Sequence, residues 1–362
     1  MTVIGKDKSY YTKCISRDQL AAILYDEIRE KYSDKINIQF DIECNDVVWS
    51  NENELGELSH ITLKAKDKDV FKESTRLLIG ADGSRSKVRE IMAKKAENGF
   101  KVKTYPDENK RVYKTIKLNL KSDKFLNFSA RTKADINIDA LPTGKDEYLG
   151  VVLFRPGDEN ITNLTDAKTS RKFFDDVFPM FSKAVNDEDL ANFATTQPSN
   201  FPIFSYCSPV LHKGKSTCII GDCIHTVKPY FGQGVNSCFE DVRVLDQALE
   251  KAGDNIPNAL QIYSNTRARD TKALVQISRR LDGGFLTFVL PLIIDSIFNK
   301  ICPQVFGRNT ISMLQNENMT FSQVQWRKRF DRVLQSTVIG GIIFSFCKVI
   351  AVVLKRCLQL IR

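Results

Sequence analysis

The chain opens on a helical pattern and then switches repeatedly between strand-like and helical periods. Ser16-Arg17-Asp18-Gln19 has the form of a capping box, with Ser16 as N-cap and Gln19 at the third helical position. Leu20, Ile23, Leu24 and Ile28 follow at helical spacing and predict one apolar face. Residues 36–42 alternate as a strand, and residues 46–71 read as a meander of two or three short strands. Arg76–Gly80 (RLLIG) is a short apolar run of the kind that forms a fully buried strand. It enters a turn at Ala81-Asp82-Gly83, with a helix from about Ser86. From about 98 to 205, strand-like runs such as VYKTIKLNL and YLGVVLF dominate, with one helical stretch near 168–187. Residues 217–221 (TCIIG) form another buried strand that Asp222 ends. A Gly-rich loop then leads into a helix from about Val235 to Lys251, and the remainder to about 335 is helical. This order predicts an α/β (α+β) protein: a Rossmann-like domain interrupted by an antiparallel-sheet domain, followed by a helical C-terminal region.

Near the C-terminus Val338–Leu354 reads VIGGIIFSFCKVIAVVL, a run whose one charge is Lys348. Spanning a bilayer takes about 20 apolar residues, so the run is at the short end for a membrane anchor; a buried or interface-lying helix is the alternative. Basic groups bracket it, Arg327, Lys328, Arg329 and Arg332 before and Lys355, Arg356 and Arg362 after, as at a membrane flank. A solvated helix face is the competing reading of the first group. An earlier apolar run, Gly284–Phe298, is interrupted by Pro291 and Asp295 and reads as a kinked helix on the core or in the membrane surface. The formal charge of +9 is spread along the chain, which argues against a nucleic-acid groove. Nine Cys without a C-x-x-C pair, and only three His, argue for reduced structural thiols and against zinc.

Two loops carry candidate chemistry. In Leu77–Arg89 a buried strand delivers Asp82 and Gly83 at its C-terminal end, where ligands of open α/β sheets bind. Ser86 can cap the next helix, whose N-terminus offers N–H groups to an anion. A plain β-turn, with Asp82 in an Asx hydrogen bond, is the alternative. In Gly221–Asn236 a second strand ends in Asp222, a carboxylate able to accept from a sugar hydroxyl. Pro229 pre-sets the loop, Gly232 and Gly234 allow the backbone to approach a flat ring, and a helix beginning near Val235 points its positive end at the ligand. His225 is a possible base, although a lone His in such a loop more often holds the loop by hydrogen bonds.

Gly-Ala-Asp-Gly-x-x-Ser-x-Val-Arg at 80–89 resembles the second FAD/NADPH motif of the single-component flavin monooxygenases, and Gly221–Asn236 resembles their ribityl-binding motif. Within that superfamily the chain is similar to the kynurenine 3-monooxygenase family in Pro-Tyr-Phe-Gly-Gln-Gly (229–234), Phe239-Glu240-Asp241, the Trp326-Arg327-Lys328 stretch and the hydrophobic tail. The resemblance implies FAD as cofactor and NADPH as reductant, with oxygen transferred to a small aromatic substrate in the kynurenine pathway. It also implies attachment through the C-terminal helix to the mitochondrial outer membrane, facing the cytosol. The FAD-contacting positions it implies are Arg17, Cys44 (through its backbone), Asp82, Gly83, Asp222, Pro229, Gly232, Gly234, Val235 and Asn236, with no catalytic residue assigned. The implied domains are 1–95 and 206–270 for the FAD domain, 96–205 for the substrate domain, 271–335 for the helical region and 336–357 for the anchor.

The pattern departs from the family in two places. No G-x-G-x-x-G follows an N-terminal strand, so the phosphate-cradling unit is absent from the sequence and the chain is expected to be a fragment or a relic. The family's substrate-binding Tyr, Asn and Tyr align roughly with Ile4 or Gly5, Leu281 and Thr310, with Arg279, Arg280 and Asp282 close by as charged substitutes. Two further readings therefore stand beside the leading one: a flavin monooxygenase with a more apolar substrate, and a non-catalytic membrane-bound protein that kept the fold.

Overall fold

The structure is a computed structural model that describes residues 15–50, 58–66, 70–95, 99–121, 127–144, 146–229, 232–316 and 318–360. Two compact units emerge: residues 1–40 with 108–201, and residues 41–107 with 202–362. The first described element is helix α1 (Arg17–Lys31), whose N-cap Ser16 accepts from the Gln19 N–H at 3.2 Å. Its apolar stripe is not a core face among the described residues, since no α1 residue is buried and Ile23 is 57% exposed. Of the strand expected over 36–42, only Ile42 pairs. Asp41 takes a left-handed backbone (φ 57°), which breaks the alternation and starts the first ladder strand at Ile42.

The second unit begins with the expected meander. Strands β1 (Ile42–Trp49), β2 (Ser59–Ala65) and β3 (Val70–Thr75) pair antiparallel in that order. Strand β4 (Leu78–Gly80) follows, then α2 (Lys87–Lys94), with Ser86 as N-cap accepting from the Arg89 N–H, and β5 (Val102–Thr104). β4 is not fully buried as its composition suggests: Ile79 is 41% exposed.

The first unit resumes with β6 (Val112–Asn119), β7 (Phe128–Arg131), β8 (Asn137–Gly144) and β9 (Glu147–Phe154), and closes with β10 (Ser199–Asn200). They form one antiparallel sheet in the order β10-β6-β9-β8-β7. β6 alternates strictly, sending Val112, Lys114, Ile116 and Leu118 inward. Helices α3 (Glu159–Thr162), α4 (Ala167–Val177), α5 (Pro179–Ser182) and α6 (Asp187–Thr195) fill the gap between β9 and β10. The single helical stretch read near 168–187 is broken because Phe178 leaves the helical region and Pro179, without an N–H, restarts the chain as α5. Phe173, Phe174, Phe178, Phe181 and Phe193 pack against the sheet, largely edge-to-face. Buried Lys114 is satisfied by the carbonyls of Phe193 (2.9 Å) and Ala194 (3.2 Å) in the last turn of α6. Burial depresses its pKa.

The second unit then returns with β11 (Ser205–Cys207), β12 (His212–Lys213), β13 (Thr217–Ile219) and β14 (His225–Thr226). β11 lies between β14 and β5, and β13 lies between β12 and β4, parallel to β4. The Trp49 indole donates to Thr217 Oγ1 at 2.9 Å, and Ser59 meets Thr217 at 2.6 Å, so the meander is sewn onto β13. Helices α7 (Gln233–Lys251) and α8 (Ile256–Leu281) cover the other side, with buried Tyr263 donating to the Ile219 carbonyl. After a π-helical turn at Phe285–Val289 come α9 (Leu290–Ile301), α10 (Thr310–Leu314) and the 40-residue α11 (Phe321–Leu360). Among the described residues α11 alone is long and apolar enough to cross a membrane, over Phe321–Ala351, with a mean hydropathy of 1.8 and an apolar 18-residue stretch that is only 6% buried.

The first basic cluster is largely ion-paired within the protein. Lys328 is buried against Asp295 (3.3 Å) and Asp331 (2.7 Å), Arg332 meets Asp295 at 3.0 Å, and Arg327 meets Asp331 at 3.2 Å. Arg329 of that group stays exposed.

Candidate cofactor site

The site is built where β4 and β13 end. The two strands are parallel, with Gly80 opposite Ile219, so the Asp82 loop and the Asp222 loop leave the sheet side by side at its C-terminal edge. Only glycine fits at position 80. A Cβ there would lie 2.8 Å from Ile219 Cγ2 and 2.9 Å from Val88, so Gly80 serves close packing of α2 on the sheet. Arg89 then clamps the loops together: its guanidinium donates to the Ser84 carbonyl (2.6 Å) on one loop and the Cys223 carbonyl (3.0 Å) on the other.

The two aspartates differ in what remains free. Asp82 is consumed by the start of α2, accepting from Ser86 Oγ (2.5 Å), Lys87 N–H (2.6 Å), Val88 N–H (3.1 Å) and the Cys223 thiol (3.3 Å). Burial raises its pKa, but the hydrogen bonds from Ser86, Val88 and Cys223 outweigh that and hold it below the usual carboxylate value. The carboxylate of Asp222, in a single 3₁₀ turn at Gly221–Cys223, makes no hydrogen bond or ion pair among the described residues and is half-buried. Its backbone carbonyl is held by Thr226 Oγ1 at 2.9 Å.

A buried network fixes the second loop from behind. Asp241, fully buried on α7, accepts from the Gly221 N–H (2.7 Å), His225 Nε2 (2.7 Å) and Arg267 Nε (2.5 Å). His225 is itself 0% exposed, so its ring tethers the loop to α7 and faces no open space where a substrate proton could sit. Arg267, 1% exposed, donates onward to the Ser237 carbonyl at 3.2 Å. Further along, Lys228 is buried between Asp107 (2.8 Å) and Asp282 (2.8 Å), over the ring of Phe204. Sequence reasoning gave no role to Arg89, Lys228 or Arg267. In the sequence Asp241 stands out only within the Phe239-Glu240-Asp241 pattern, because its three partners lie 16 to 26 residues away along the chain.

The remaining candidates line the open side. Pro229 is exposed and its carbonyl accepts from the Gly232 N–H at 3.3 Å, while Tyr230 and Phe231 lie outside the described residues. Gly232 takes a left-handed backbone (φ 63°) as N-cap of α7, and among the described residues no side-chain cap hydrogen bond is made there. Among the described residues, nothing lies within 4 Å of where a Cβ would stand at Gly83 or Gly232, and one at Gly234 would meet Val227 at 3.8 Å. Val235 is 48% exposed, and exposed Asn236 donates from Nδ2 to the Gly232 carbonyl at 3.3 Å. Cys44 sits at a bulge of β1, its thiol pKa raised first by burial and then by the Asp82 carboxylate. Arg17 is exposed in the first turn of α1, in the other unit. The position near Ile4 and Gly5 is outside the described residues, and Leu281 and Thr310 are half-buried. Of the charged groups near Leu281, Asp282 is paired with Lys228, and the Arg279 guanidinium lies 4.6 Å from the centre of the Tyr105 ring.

Two loops from adjacent parallel strands, an unengaged carboxylate on one and an uncapped helix N-terminus behind it, define a dinucleotide-type α/β cofactor fold. The chain belongs to the FAD binding domain family, whose model matches residues 6–278. Relatives include a kynurenine 3-monooxygenase of Flavobacterium johnsoniae, 28% identical over 215 residues, covering 56% of this chain and 46% of the relative. A kynurenine 3-monooxygenase of Yarrowia lipolytica is 24% identical over 342 residues, covering 91% of this chain and 71% of the relative. The chain thus spans about half the length of the Flavobacterium relative. Among solved structures, the tetrameric form of 2-methyl-3-hydroxypyridine-5-carboxylic acid oxygenase superposes with a TM-score of 0.53 at 19% identity, covering 75% of this chain and 68% of that one; the likeness is one of fold.

Proposed function

We propose that the chain is part of an FAD-dependent aromatic monooxygenase of the kynurenine 3-monooxygenase type, using NADPH and O₂ in the kynurenine pathway. The observation that carries this reading is the free Asp222 carboxylate beside the uncapped N-terminus of α7, on a loop braced from behind by Asp241. These residues fit a flavin. Asp222 would accept from a ribityl hydroxyl, the backbone at Gly232, Gly234 and Val235 would lie against the ring system, and Asn236 would pin the helix start. The positive end of α7 favours negative charge on a reduced ring. Bound FAD would supply the electron transfer and oxygen activation, and the protein would supply position and electrostatics. Asp82 holds the loop and the start of α2 in place and stands as a further proposed contact, and Gly83 offers open backbone. Arg17 and the Cys44 backbone stand as further proposed contacts, and the FAD and substrate domains are proposed to divide at about 95 and 205. The C-terminal helix would attach the chain to a membrane, proposed as the mitochondrial outer membrane facing the cytosol.

A second reading, a substrate less polar than kynurenine, is favoured by one observation. Asp282 is neutralised by buried Lys228 and Arg279 lies over Tyr105, so these groups are engaged within the protein. The test is an absorption titration of the full chain in detergent with FAD, followed by NADPH oxidation with and without kynurenine. Flavin bound near one per chain and kynurenine-stimulated oxidation uphold the first reading; bound flavin without kynurenine stimulation selects the second. Absence of flavin binding overturns both and leaves a fold without its cofactor.

A further inference from the structure

Helix α9 is amphipathic in the sense opposite to a helix of a water-soluble protein. Its carboxylate, Asp295, is 0% exposed and points into the protein, where it accepts from Lys328, Arg332 and the Gln335 amide (3.1 Å) of α11. One line of its apolar side chains points out. Leu286 of the preceding turn is 74% exposed, Ile297 is 50% exposed and Ile301 is 76% exposed, with Val289 and Ile293 between them at steps of three to four residues. This line borders a shallow apolar groove of about 360 Å³ that ends at Lys300. A helix in water buries its apolar stripe and shows its charges; here the medium outside α9 is treated as the apolar phase.

The buried ion pairs also fix where this face lies. Gln335, which holds Asp295, comes one turn before the apolar part of α11, so α9 is fastened beside the base of that segment. Breaking such a buried pair is costly, so the two helices form one rigid element. We infer that the Leu286–Ile301 face is a membrane-inserting surface, lying in the headgroup and upper acyl layer of the same bilayer that α11 enters, with Lys300 reaching back to the lipid phosphates. Such helices sink roughly 5–10 Å into the boundary region. This rests on the proposed membrane attachment through α11, but it adds a second contact that a single spanning helix does not require, and it sets the orientation of the catalytic body against the bilayer.

The test uses the full chain in vesicles of phosphatidylcholine with an anionic lipid, made with and without bromine atoms high on the acyl chains. Ile297→Trp reports on α9 and Phe346→Trp on α11, each measured as the difference from the unsubstituted chain, which carries Trp49 and Trp326. Both positions are exposed, so neither change disturbs the core. The expected result is that bromolipid lowers the emission added by either tryptophan, as for side chains within the acyl boundary. Quenching at 346 alone overturns the surface proposed here and leaves the anchor standing. Quenching at 297 alone upholds the surface and overturns the anchor; quenching at neither overturns both.

Discussion

Asp241→Ala tests the network that positions the ribityl-type loop. Asp241 accepts from three donors, Gly221 N–H, His225 Nε2 and Arg267 Nε, and none of the side chains involved reaches solvent. Removing the carboxylate leaves the Arg267 charge buried without its counter-ion, a loss of about 3–5 kcal/mol for pairs of this kind. The Gly221 and His225 donors are orphaned at the same time, which puts the loss toward the upper end of that range. Asp241→Asn keeps the shape and one acceptor oxygen, so it should cost less than the alanine change. For a body of this size the alanine variant should melt about 6–20 °C lower, at about 2–4 °C per kcal/mol. The assay is a fluorescence melt of the detergent-solubilised full chain, followed by an FAD titration below the variant's transition. A drop of less than about 1 kcal/mol would show that Arg267 and Gly221 find other partners, and would refute the view that Asp241 braces the loop.

Three further outcomes are expected. Asp222→Ala should weaken FAD binding by about 10- to 100-fold, the worth of one hydrogen bond to a charged group, while leaving the melt unchanged. Asp82→Ala should instead lower stability by about 1–2 kcal/mol through loss of the α2 N-terminal hydrogen bonds; titration and melt together separate the two roles. Asp82 has a folded pKa below its ordinary 3.8, so its contribution is fully present above that pH and is lost as the pH falls through the lowered value. Acid unfolding of Asp82→Asn followed below pH 4 should therefore be less steep than that of the parent, and identical slopes would exclude this linkage. Gly80→Ala should destabilise by about 1–3 kcal/mol, as overpacking does, because its Cβ would press on Ile219 and Val88; an unchanged denaturation midpoint would mean that α2 moves away freely.

Much of the architecture was legible in the sequence because local chemistry decides it. The Ser16 and Ser86 caps, the meander over 46–71, the alternation of β6 and the Gly232 turn depend on neighbours a few residues away, and side-chain periodicity reports them directly. The pairing of a strand, an aspartate and a glycine at both loops was likewise visible, and it led to the FAD-binding family. Only the tertiary structure decided which aspartate is free. Asp82 and Asp222 stand at equivalent strand ends, but one is taken by a helix start and the other is not. The ion pairs of the basic run at 327–332 were not legible, because its partners, Asp295 and Asp331, cannot be assigned from composition. Asp295 in turn looked like an interruption of an apolar helix until α11 supplied its cations. The Lys228 ion pairs and the Asp241 network escaped for the same reason. A hydrogen bond between residues tens of positions apart leaves no period in the sequence, and the cost of burying a charge is set by the group that three-dimensional packing puts beside it.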